Sequence, residues 1–159
     1  MRAATVKELK TDLLNYSQAD LVKICLRLSK FKKENKELLT YLLYEAADEQ
    51  GYIVSVKQEI DTQFDQLNRK SPYWMKKGIR KTQKLAKKYI RYSQNKETEV
   101  EILLYFCQKL KDLNPSMSRS KVLKNLYDRQ IDYIERVLQK LHEDLQYDYQ
   151  VEIDKLRAS

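Results

Sequence analysis

Ser71-Pro72-Tyr73-Trp74-Met75-Lys76-Lys77-Gly78-Ile79-Arg80-Lys81-Thr82-Gln83-Lys84-Leu85-Ala86-Lys87-Lys88-Tyr89-Ile90-Arg91-Tyr92 opens on a hydroxyl residue and a proline, then spaces its apolar side chains at helical intervals. The Ser71 hydroxyl can accept a free N–H of a first helical turn, and a proline at the first helical position lacks only an N–H that would be unpaired anyway. At about 100° per residue, Lys76, Lys77, Arg80, Lys81, Lys84, Lys87, Lys88 and Arg91 fall within one arc of about 140°. Trp74, Met75, Ile79, Leu85, Ala86, Tyr89 and Ile90 fall opposite. The stretch predicts a helix over 72–92 with one face for a core and one face of cations.

The chain on either side reads as helix too. Thr5-Val6-Lys7-Glu8 is a capping box and Ser17-Gln18-Ala19-Asp20 its aspartate variant, opening helices near 6–15 and 18–31. Val6, Leu9 and Leu13, then Leu21, Ile24 or Cys25, and Leu28, form stripes expected to pack on a core. A helix near 34–49 carries Leu38, Leu39, Leu42, Leu43 and Ala46, with Gly51 as its expected terminator, and one near 52–69 carries Ile53, Val56, Ile60, Phe64 and Leu67. Another, near 96–112, carries Val100, Leu103, Leu104, Cys107 and Leu110 and stops before Asn114-Pro115. Last comes a long C-terminal helix over 119–157, with an interruption near 143 as the alternative.

Two glycines and two prolines in 159 residues cannot supply the turns of a many-stranded sheet. The fold class is all-α: residues 1–159 as a single all-helical domain, a multi-helix bundle or short α–α superhelix of about seven helices. Leu38-Leu39-Thr40-Tyr41-Leu42-Leu43-Tyr44 and Ile102-Leu103-Leu104-Tyr105-Phe106 look alike only as helical core, and no repeat period emerges. Cys25 and Cys107 sit in apolar runs and read as buried free thiols. No run of 18 apolar residues is present, and the polar start Met1-Arg2-Ala3-Ala4-Thr5-Val6-Lys7 leaves no room for a signal-peptide core, so a cytoplasmic protein is expected.

Charge is unevenly placed. Of 31 basic residues, the 11 between Gln66 and Lys96 stand without a single Asp or Glu among them, while all 23 acidic residues lie elsewhere. The segment therefore accounts for the whole net charge of +8. Eight of these cations share the arc of the 72–92 helix and extend roughly 22 Å along it. Like charges at i,i+4, such as Lys77 with Lys81 and Lys84 with Lys88, cost an isolated helix a few tenths of a kcal/mol each. A face built only for solubility would interleave carboxylates.

Such a face has two uses. It can neutralise the phosphates of a nucleic acid, its lysines favouring backbone contact without base reading, with Tyr73, Tyr89 and Tyr92 as stacking rings. Alternatively it is solvated, or neutralised by the chain's own acidic stretch from Asp128 to Asp154, in a bundle that serves protein interaction or scaffolding. In that case the tyrosine-rich Leu145-Gln146-Tyr147-Asp148-Tyr149-Gln150-Val151 is the contact surface. An acidic protein or an anionic membrane surface is a further partner for the cations.

Thr5-Val6-Lys7-Glu8-Leu9-Lys10 followed by Ser17-Gln18-Ala19-Asp20-Leu21-Val22 resembles the two-helix SAP DNA-binding module, without the glycine usual between its helices. In Lys30-Phe31-Lys32-Lys33-Glu34-Asn35-Lys36-Glu37-Leu38-Leu39 and Lys88-Tyr89-Ile90-Arg91-Tyr92 the chain resembles uncharacterised bacterial all-helical proteins, a likeness that implies a fold and no activity. No catalytic constellation is visible. His142 lies beside Glu143 and Asp144 with no second ligand at helical spacing, Glu97, Glu99 and Glu101 alternate along a helix, and there is no glycine-rich phosphate loop or Cys-x-x-Cys pair. The expectation is a non-enzymatic protein with no metal and no cofactor.

Overall fold

A computed structural model describes residues 1–158. These form eight α-helices: α1 (Val6–Leu13), α2 (Gln18–Phe31), α3 (Lys33–Thr40), α4 (Glu49–Asp65), α5 (Pro72–Ser93), α6 (Lys96–Lys111), α7 (Lys121–Leu138) and α8 (Glu143–Arg157). There is no strand among the described residues, and no helix there is long and apolar enough to cross a membrane. The fold is an all-α helical bundle. It divides into two compact units, Met1–Tyr44 and Glu45–Ser159.

The helix starts follow the caps. Thr5 and Glu8 make both halves of the capping box, and Ser17, Ser71 and Ser120 each accept from the backbone N–H three residues on. Gly51 departs from expectation. It lies in the first turn of α4, where its N–H donates to the Asp48 carboxylate at 3.1 Å. A Cβ at Gly51 would collide with that carboxylate, so the glycine makes room for a start instead of making a stop. The preceding helix ends at Thr40 and passes into a π turn, Tyr41–Glu45. The C-terminal helix breaks over 139–142, where His142 accepts from the Asp144 N–H and caps α8.

The first unit departs most from the sequence pattern. Val6, Leu9 and Leu13 of α1 and Leu28 of α2 are exposed, as are Leu38, Leu42 and Leu43, and only Ser29 and Tyr41 are buried within Met1–Tyr44. Cys25, expected inside, is exposed as well. Three short helices, of which α2 and α3 pack on each other, offer too few facing surfaces to cover their stripes.

The second unit is built around α6, against which α4, α5, α7 and α8 all pack. Val100, Ile102, Leu103, Leu104, Phe106, Cys107 and Leu110 bury this helix over more than half of its circumference. Its polar residues are matched by neighbours. Thr98 Oγ1 donates to Glu49 at 2.7 Å, and Tyr105 and Lys109 both reach the Asp61 carboxylate, at 2.5 and 3.1 Å. Burial pushes the Asp61 carboxyl up, but these two donors outweigh it and hold it below its ordinary value. Every buried side-chain N or O among the described residues has a hydrogen-bond partner.

Gln94 ends α5 in the left-handed region at φ 55°, ψ 19°, which costs a residue with a Cβ more than glycine. Gln94→Gly should raise stability by about 1 kcal/mol in urea unfolding. In the core, burial pushes the phenols of Tyr105 and Tyr127 up to about 12. A phenol raised above its unfolded value of about 10 stabilises the fold fully below that pH and loses its contribution as pH rises toward 12. Stability should therefore fall between about pH 10 and 12, and ultraviolet titration should find tyrosines that ionise only as the helical signal is lost.

Candidate nucleic-acid interface

On α5, Met75, Ile79, Thr82, Ala86 and Ile90 are buried, and they turn the opposite arc outward. Lys77, Arg80, Lys81, Lys84, Lys87 and Arg91 are exposed, and Lys76 and Lys88 are half-buried. The sequence-derived cation face is thus brought together on one side of one helix. Trp74, expected in the core, is 48% exposed. It sits in the first turn of α5 beside exposed Tyr73, their ring centroids 5.2 Å apart, and the Lys77 ammonium lies 5.1 Å from its ring. Of the three candidate stacking tyrosines only Tyr73 stands clear, because Tyr89 is half-buried and Tyr92 is buried.

The acidic stretch does not pair with this face. Among the described residues, Lys76, Lys77, Arg80, Lys81, Lys84, Lys87 and Arg91 form no ion pair. Asp132 and Glu135 are instead held by Arg157, at 2.8 and 3.0 Å, and Asp128 by Lys124 at 2.9 Å. The reason is visible in helical register. Asp128, Asp132 and Glu135 centre on one edge of α7, whereas Val122, Arg129 and Tyr133 centre on another with Asn125 at the boundary, and it is the second row that α7 presents to α5.

Between those rows lies a groove. One cavity of about 740 Å³ has walls of Arg80, Lys87 and Arg91 from α5 and Asn125 and Arg129 from α7, over a floor that includes Ile90 and Leu103. A second, of about 550 Å³, adjoins it at Arg80 and Val122 and gathers Tyr73, Lys76, Lys77, Lys81 and Lys84. Lys88 lines neither cavity. Gln83 Nε2 donates to the buried Gln130 Oε1 at 2.8 Å, tying α5 to α7. One acid lies at the bottom: Glu99, buried, accepts from the Tyr133 hydroxyl at 2.6 Å. That hydrogen bond, with burial, raises the Tyr133 phenol above its ordinary value.

Asn125, Arg129 and Tyr133 were not among the sequence-derived site residues. A net-charge count over Asp128–Asp154 sets Arg129 against the acids and so hides it; the four-residue steps of Asn125, Arg129 and Tyr133 are the signal that would have found them. No family model matches the chain, and no curated protein or solved structure matches it either.

Removing the Tyr133 hydroxyl takes away the short hydrogen bond to buried Glu99 and leaves it the longer ion pair with Lys96, at 4.0 Å. Tyr133→Phe should cost about 1–2 kcal/mol in urea unfolding.

Proposed function

We propose that this protein is a non-enzymatic helical binding module that holds the phosphate backbone of nucleic acid along α5. What carries the reading is a row of exposed cations, Lys77, Arg80, Lys81, Lys84, Lys87 and Arg91, that form no ion pair among the described residues, although the same unit holds acids enough to supply several. Concentrating like charge on one helix costs stability, and a polyanion offsets that cost by releasing its counterions as each phosphate is neutralised. Lysines predominate on the outer arc, and as point charges they follow a backbone without reading its sequence. The SAP-like α1–α2 pair points toward the same class of ligand.

A second reading, a protein-interaction or scaffolding bundle, draws on the exposed apolar side chains of α1–α3 and on exposed Tyr147 in α8. Surfaces of that kind are covered by partner proteins more often than left wet.

Titration of a labelled oligonucleotide against salt separates the two. Binding through the α5 cations should weaken on the order of a thousandfold between 50 and 200 mM salt. The variant carrying Lys77→Gln, Lys81→Gln, Lys84→Gln and Lys87→Gln should flatten the log–log salt slope by roughly three units. A quadruple variant that binds as tightly as the parent, or a parent that does not bind, rules out the nucleic-acid reading.

A further inference from the structure

The side chains along α5 and α7 are sorted by chemistry, and if α5 holds phosphates as proposed, the sorting bears on which form of nucleic acid fits; the role of the groove rests on that reading. On the outer arc stand ammonium groups, Lys77, Lys81 and Lys84, fully open to solvent. Planar donors and acceptors line the larger cavity: Arg80 and Arg91, with Lys87, on one wall, and Asn125 and Arg129 on the other. Exposed Val122 and half-buried Leu126 give the groove an apolar surface, and Glu99 lies buried at its bottom.

Phosphate is a poor occupant for that floor. It gains nothing from an apolar surface. A nucleobase suits it better. A base has an apolar face to lay on Val122 and Leu126 and a polar edge for guanidinium and amide groups. Base faces are hidden by stacking in a duplex. Duplex readers reach base edges by pushing a protruding helix into the major groove, with the reading side chains on its crest. Here the outer arc of α5 carries lysines, and the guanidinium and amide groups line the groove beside it, between helices close enough for Gln83 and Gln130 to hydrogen-bond across. At the N-terminal end of the lysine row, Tyr73 and Trp74 leave two aromatic rings exposed for stacking.

We infer that the α5–α7 groove receives unpaired bases of a single-stranded nucleic acid while the α5 lysines hold its phosphates. Strand and duplex then differ in what they can reach: a duplex touches only the lysine arc.

The test uses the full chain and four labelled probes at one salt concentration: a single-stranded DNA, the RNA of the same sequence, the matching DNA duplex, and a single strand of abasic sugar-phosphate. At least one of the two base-bearing strands should bind about tenfold more tightly than both the duplex and the abasic strand; which of the two leads reports whether the 2′-hydroxyl is used. Asn125→Ala combined with Arg129→Gln, both exposed positions, should weaken the preferred strand about tenfold and leave duplex binding within twofold, with an unchanged thermal melt. Duplex or abasic strand binding as tightly as the base-bearing strands overturns the inference and leaves the phosphate reading intact. So does a double variant that loses strand and duplex alike. Failure of all four probes removes both.

Discussion

Burial of α6 is the constraint on which the second unit depends. Its buried apolar residues span more than half of its circumference, so no arrangement with one neighbour can cover it. Four helices pack on it, and each must offer an apolar stripe to do so. For α5 that requirement sets its rotation: Met75, Ile79, Ala86 and Ile90 turn inward, and the lysines on the other arc turn out. The cation face is in this sense a consequence of the core. Its position in space follows from which side of α5 is apolar.

The same constraint creates the groove. Both α5 and α7 lean on α6 from different sides, so a gap opens between them above Leu103, bridged by the Gln83–Gln130 amide pair. Polar groups at that depth need partners, and Glu99 finds one in Tyr133. The acids of α7 face the other way, drawn to Arg157 of α8. These acids are thereby matched without using Lys77, Arg80, Lys81, Lys84, Lys87 or Arg91.

Much of this was legible in local sequence. Caps at Thr5, Ser17 and Ser71 mark real helix starts because the hydrogen bonds that make them span only three residues. Gly51 misled because a glycine suits a helix end and a crowded first turn equally well, and only the Asp48 carboxylate folded onto it decides between them. The most instructive contrast is Leu38–Tyr44 against Ile102–Phe106. The two runs look alike in sequence, yet Leu42, Leu43 and Tyr44 are exposed while Ile102, Leu103, Leu104 and Phe106 are buried. Periodicity reports which face would gain from burial and carries no information on whether a partner is present to bury it.

By itself, the sequence determined the all-α class, the extent of α5 and the gathering of eight cations on one of its faces, since helical spacing and capping are local properties of the chain. Only the tertiary structure decided that the acids of 128–154 turn toward Arg157 and Lys124, and that Asn125 and Arg129 join Arg80 and Arg91 across a groove. Those outcomes depend on how one helix is rotated against another, and that rotation is set by packing between residues far apart in the chain.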